Sequence, residues 1–206
     1  MLIAGLLGPD PDLAILNETI RILYFHVPMW FGMVIILTAS VVFAIKYLSG
    51  NDLKADQMSV ELANVGSLFG VLGILTGMIW ANFTWGAPWS GDPQQNGAAI
   101  GLLIYFAYFI LRGSLQDEQQ KARIGAIYNI FAYAALIPLL YILPKLTDSL
   151  HPGSGGNPGF VTYDLDSNLR LVFYPAVIGW TLLGFWIVSI RYRIRRIQET
   201  LEEENL

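Results

Sequence analysis

The chain has 206 residues, a formal net charge of −4, two histidines and no cysteine. Apolar residues make up 54% of it and charged residues 14%, where a soluble domain carries about 25% charge, and mean hydropathy is +0.51. These values exclude an ordinary soluble domain, and the lack of cysteine excludes disulfides, thiolate metal sites and a CxxCH attachment motif in this chain.

Residues 1–9 are apolar but would reach only about 10–14 Å as a helix. They read as the stub of a span that begins upstream, and no secretory cleavage pattern accompanies them. Asp10-Pro11-Asp12 then breaks the chain. Asn17-Glu18-Thr19 can cap a short helix that carries Arg21 and leads to His26. Charge-free runs follow over 22–45 (with His26 neutral), 62–91, 93–111, 124–144 and 171–190. Each approaches the roughly 20 apolar residues that cross a bilayer. Five full spans are therefore predicted, at 25–45, 60–80, 95–112, 124–144 and 171–190. None alternates apolar with polar residues as a barrel strand would. The predicted fold is all-α, a polytopic integral membrane helical bundle forming one membrane domain over 1–206, with five full spans and an N-terminal stub of a sixth. Pro28 falls in a first turn, where a missing amide is tolerated. Pro138 and Pro175 are candidate kinks.

Two connections stand out. Residues 80–96 join the second and third spans and hold Trp80, Trp85 and Trp89, three of the six tryptophans. This loop also carries Asp92, the carboxylate that follows the 62–91 run and can cap the third span. Residues 145–169 form a longer polar loop with His151-Pro152-Gly153. Lys46, Lys54, Arg112, Lys121, Arg123, Arg191, Arg193, Arg195 and Arg196 fall on one set of span ends, and only Arg21, Lys145 and Arg170 on the other. The richer side is predicted to be cytoplasmic. The Trp loop, His26 and His151 then share the outer face, which is the periplasm in a Gram-negative bacterium.

That shared face points to a planar ligand. Two neutral imidazoles can hold haem iron when no cysteine or methionine does so. Tryptophans supply flat apolar area. Arg21, five residues before His26, offers charge to a propionate. Each part also has a plain reading: tryptophans anchor loops at membrane interfaces, a loop histidine is commonly just solvated, and Arg21 is an ordinary juxtamembrane charge. The conjunction on one face is stronger than its parts and sets haem or a similar planar ligand, with His26 and His151 as candidate metal ligands, beside those plain readings.

The run Arg21-Ile22-Leu23-Tyr24-Phe25-His26-Val27-Pro28 fits RxxYxHVP. With WGxxWxxD over Trp85–Asp92 and LHPG over Leu150–Gly153, it resembles the haem exporter protein C (CcmC) family of cytochrome c maturation, nearly from Arg21 to the last span. The resemblance implies six spans in a bacterial inner membrane, and the charge asymmetry puts the C-terminus on the cytoplasmic side. The resemblance further implies a periplasmic Trp-rich domain that holds haem b between two axial histidines, matched here by His26 and His151. Arg21 matches a basic position before the first ligand, and Trp85, Gly86, Trp89 and Asp92 match the signature. Pro88 and Gly91 stand where the family commonly has Trp, and Gln94 where a basic residue is common. The implied role is transfer of haem to the chaperone CcmE, in a membrane complex with CcmA, CcmB and CcmD, rather than enzymatic catalysis. The bilayer is an expected partner, and nucleic acid is not. Rival readings are a b-type electron-transfer cytochrome, which pairs histidines within the bilayer, and a solute transporter, which places ionisable groups near the midplane. The larger haem lyases CcmF and CcsA carry additional histidines.

Overall fold

The computed structural model describes residues 2–8, 17–153 and 166–204. Asp10-Pro11-Asp12 and the stretch 154–165 of the His loop lie outside the described residues. The order of elements is α1 (Leu2–Leu7), a 3-10 turn (Asn17–Ile22) running directly into α2 (Leu23–Gly50), α3 (Leu53–Thr84), α4 (Pro93–Ser114), α5 (Glu118–Ile137), a π-helical stretch (Pro138–Ile142), α6 (Leu143–Leu146) and α7 (Ser167–Glu204). Among the described residues there is no strand. Five helices, each containing one predicted run, are long and apolar enough to cross a membrane. The protein is a polytopic helical membrane protein.

Polar side chains set the helix starts. Asp52, Asp92 and Asp117 each stand just before a helix and accept a hydrogen bond from the backbone amide of Lys54, Gln94 and Gln120, respectively. A side-chain oxygen there satisfies an amide that has no partner within the helix. The last helix overruns its predicted span, because the arginines after residue 190 and the acidic residues beyond them continue as helix to Glu204.

The prolines have specific consequences. Pro28 has no N–H, so the Tyr24 carbonyl one turn earlier lacks its helical donor. The indole Nε1–H of Trp180 on α7 donates to that carbonyl at 3.1 Å. Pro138 likewise interrupts α5, and the chain rewinds as a π-turn in which the Leu143 amide donates to the Pro138 carbonyl. Gly97 of α4 faces this turn, and a Cβ there would collide with the carbonyl of Leu139.

Helices α2 and α3 form the centre. Helix α7 packs on both, while α4 and α5 pack on each other and on the same central pair. In lipid the hydrophobic effect gives helices little reason to associate, so close backbone approach and van der Waals packing carry the contact. The α2–α3 seam is built that way. A Cβ added at Gly66 would stand 2.6 Å from Leu37, at Gly70 2.9 Å from Met33, at Gly73 2.8 Å from Trp30, and at Gly77 2.6 Å from His26. Positions 66, 70, 73 and 77 lie on one helical face, as do 37, 33, 30 and 26 on the antiparallel neighbour. Each of these glycines takes a large side chain of α2 against it, Gly70 taking Leu102 of α4 as well, and His26 is the last in the series.

The opposite end is tied by buried charge. Arg112 reads in sequence as a charge at a span end; it lies in the last turn of α4, where it is buried and donates to both oxygens of Asp56 at 2.8 and 2.7 Å. Buried Glu61 accepts from Arg191 at 2.7 Å and from Arg195 at 3.4 Å. These pairs join the start of α3 to α4 and α7 at the end away from His26.

Candidate functional site

His26 lies one turn into α2, buried, with its ring edge-on to Trp30 (centroids 6.3 Å apart) and Trp80 (6.0 Å). Its Nδ1 is 2.9 Å from the Gly73 carbonyl and 3.1 Å from Thr76 Oγ1. A carbonyl can only accept, so Nδ1 carries the proton and Nε2 keeps a free lone pair. Thr76 is itself held by donation to the Leu72 carbonyl at 2.8 Å. The imidazole is thus locked in position and tautomer by the backbone of a neighbouring span.

His151 reaches the same end of the bundle from the loop after α6. Its Nδ1 is 2.7 Å from Oδ1 of Asp92, and Trp85 stands edge-on against its ring with centroids 4.9 Å apart. A carboxylate is an acceptor, so here too Nδ1 carries the proton and Nε2 is left free. Asp92 has other partners: the amide of Gln94 at 2.8 Å, the Ser149 hydroxyl at 2.9 and 3.2 Å, and the amide of Leu150 at 2.7 Å. One buried carboxylate therefore starts α4 and ties the Trp loop to the His loop. Burial works to raise the Asp92 carboxyl, but the Leu150 amide, His151, the Gln94 amide and Ser149 outweigh it and hold it below the usual carboxylate range. Burial pushes the His151 imidazole down, against the opposing pull of Asp92.

The Trp loop is shaped by its backbone. Gly86 and Gly91 have φ of +80° and +75°, where an L side chain is strained. Gln95 accepts from the amide and hydroxyl of Ser90 at 3.1 Å each and donates to the Pro88 carbonyl at 3.3 Å. Asn96 donates to the Gly91 carbonyl at 2.8 Å. Trp85 is half-buried against His151, while Trp89 is 39% exposed. Trp80 is half-buried beside His26, and its indole N–H is buried with no hydrogen-bond partner among the described residues. A buried donor left unsatisfied is costly, and it is available to a bound group.

Of the residues singled out in sequence, His26 and Trp80 come together on one side, and His151, Trp85 and Asp92 on the other. Arg21 is placed elsewhere in the same region. Its Nε donates to Glu18 at 2.7 Å, and its Nη1 donates to the carbonyls of Gly5 and Gly8 at 3.1 and 2.9 Å at the end of α1. Gly73, Thr76, Ser149, Trp30 and Gln95 also belong to this region and carry little mark of it in the sequence. Only the glycine spacing at 66, 70, 73 and 77 was a usable signal, since it marks a face of close helix approach.

The donor set fits an iron that brings its own equatorial ligands. Two uncharged imidazoles each offer Nε2, and each is fixed through Nδ1 as metal-binding histidines commonly are. Indole rings flank both, and one holds an unused donor.

The sequence model of the family described as Heme exporter protein C matches residues 2–206. The chain is 22% identical over 186 residues to the Heme exporter protein C of Haemophilus influenzae, covering 89% of this chain and 74% of that protein. Identity to the Escherichia coli K12 protein of the same description is 23% over 185 residues, covering 90% of this chain and 71% of that one. A stretch of 71 residues is 42% identical to the Cytochrome c biogenesis protein CcsA of Thermosynechococcus vestitus, which is 34% of this chain and 22% of that protein.

Proposed function

The chain belongs to the haem exporter protein C family, and from that premise we propose that it holds haem b as cargo between His26 and His151 and delivers it for c-type cytochrome biogenesis. The site faces the periplasm from a bacterial inner membrane, and the C-terminus is cytoplasmic. The haem passes to the chaperone CcmE, with CcmA, CcmB and CcmD as membrane partners. The protein's work is to carry and hand over a cofactor rather than to catalyse bond chemistry. One observation carries the reading: both histidines of the chain have Nδ1 engaged and Nε2 free at the same end of the bundle.

Bound haem supplies an iron with two axial positions and a large apolar ring. His26 is the ligand on the span, fixed by Gly73 and Thr76. His151 is the ligand on the loop. Trp80, Trp85 and Trp89 give the ring its apolar surroundings and exclude water, and Asp92 belongs to the site through His151. Arg21 is the cationic partner of a propionate. It already pairs with the Glu18 carboxylate, so accepting a propionate exchanges one carboxylate for another.

The test is haem content and hand-off in a Trp85→Ala, Trp89→Ala protein. If the indoles contact haem, content or transfer to apo-CcmE falls while the amount of inserted protein is unchanged. If they only anchor the loop at the interface, protein level falls and the haem per molecule is normal. The latter result would overturn their place in the site.

A further inference from the structure

The two histidines are held in unlike ways. His26 is part of a long helix, buried between two indoles and hydrogen-bonded to the backbone of α3. Withdrawing it means opening the α2–α3 seam at Gly73 and Gly77, where backbone and ring are in direct contact. His151 lies in a non-helical turn, and its side chain is 16% exposed. The polar contacts that bring this turn to the Trp loop converge on Asp92: the imidazole of His151, the hydroxyl of Ser149 and the amide of Leu150. The Asp92 side chain is only 1% exposed, so its position is set from within, by α4.

We infer that His151 is the ligand that lets go during hand-off while His26 stays, and that Asp92 is the positioning residue that latches His151 in place. The inference rests on haem being bound between these two histidines. While the latch is closed, Asp92 fixes the tautomer with Nε2 free and adds negative charge behind the imidazole, which strengthens it as a donor. When the turn lifts away, Nε2 and the three Asp92 contacts are lost together, and no helix has to move. Behind His26, among the described residues, stand a backbone carbonyl and a hydroxyl rather than a carboxylate, and its restraint comes from the packing of two spans.

Cyanide enters a bis-histidine ferric haem only after one imidazole leaves, so its rate of entry reads ligand release in the purified full-length protein. Asp92→Ala is expected to speed cyanide entry about 10- to 100-fold, the usual scale for loss of a supporting partner behind a metal ligand. Gly179→Ala on α7, where an added Cβ meets nothing within 4 Å, should leave the rate unchanged. In a His151→Gly background, Asp92→Ala should add nothing. Should Asp92→Ala fail to retain haem, Asp92→Asn keeps a cap oxygen and an acceptor and gives a smaller acceleration of the same sign. A haem-free readout comes from 15N-histidine spectra of the apoprotein, which has two histidines. Asp92→Ala should move only the His151 ring nitrogens toward the Nε2–H tautomer and leave His26 unshifted.

Unchanged cyanide entry in both Asp92 variants overturns the inference. So does equal acceleration when His151 is already gone, or movement of the His26 signals along with those of His151. Haem that is insensitive to both histidines would instead refute the haem-site reading, and the apoprotein spectra would still report whether Asp92 fixes His151.

Discussion

Nδ1 of His151 lies 2.7 Å from Oδ1 of Asp92, and this contact joins two loops that are far apart in sequence. Asp92 reads in sequence as a helix cap, and it is one, since it accepts from the Gln94 amide. The same side chain holds Ser149, Leu150 and His151. A carboxylate with that many partners is costly to neutralise, because protonation removes acceptor capacity from several donors at once.

The pair gives the site a defined acid limit. Iron binds the neutral imidazole, so protons compete with it. Burial pushes His151 below its ordinary value of ~6.5, so it stays neutral where a free histidine would charge. Haem retention should be level from neutral pH down to about 6.5 and fall only below that. Asp92 pulls the His151 value upward, so Asp92→Asn should move the acid limb to lower pH even as it weakens retention at neutral pH. Retention measured against pH in both proteins checks the sign. A limb that moves to higher pH in the Asn variant contradicts this reading.

The glycine seam makes a second expectation specific. A Cβ at Gly77 would stand 2.6 Å from Cε1 of His26, whose ring is already hemmed by Trp30, Trp80 and Gly73. The ring cannot rotate aside as a flexible aliphatic chain would. Gly77→Ala should therefore displace His26 and reduce haem content per inserted molecule. Gly179→Ala on α7 meets nothing within 4 Å and should leave content unchanged. Equal haem content in the two variants would show that His26 does not need this seat.

The parts legible in sequence and the parts that were not differ for physical reasons. The spans were legible because hydrocarbon excludes charge, and the five predicted spans lie within the helices found. Asp92 as a cap was legible because capping is local. Its bond to Ser149 was not, because that partner is 57 residues away and a serine in a polar loop carries no signal. His26 and the Trp loop could be assigned to one end from the order of the spans and the charges at their ends. Gly73 as the partner of His26 could not, because a backbone carbonyl leaves no mark on a sequence. Arg112 reads as a charge at a span end, and nothing in the sequence pairs it with Asp56, 56 residues away. Only the packing of α3 against α4 shows that they are buried together.

That buried pair separates stability from function. Both side chains of Arg112–Asp56 are under 10% exposed. Removing one partner strands the other charge, at a cost of about 3–5 kcal/mol. Asp56→Ala should lower the thermal midpoint and the amount of inserted protein. The haem spectrum of the surviving fraction should be unchanged, because the pair lies at the end of the bundle away from His26. An altered haem spectrum at normal stability would contradict that separation.

Orientation can be tested without background, since the chain has no cysteine. Ser90 in the Trp loop and Ser114 at the end of α4 are both exposed. A membrane-impermeant thiol reagent applied to intact cells should label Ser90→Cys and not Ser114→Cys. Labelling at Ser114 alone would invert the topology and place the histidines on the cytoplasmic side.

The central claim is that haem iron is held by His26 and His151. The most direct test is the visible spectrum of the purified protein with each histidine, and then both, changed to glycine. The unaltered protein should show six-coordinate low-spin haem. Each single variant should insert normally with weakened or lost haem, and added imidazole should restore part of it by filling the vacated position. The His26→Gly, His151→Gly protein should insert and bind no haem, with its tryptophans intact. An unchanged low-spin spectrum in that double variant would contradict the assignment and place the ligands on another chain.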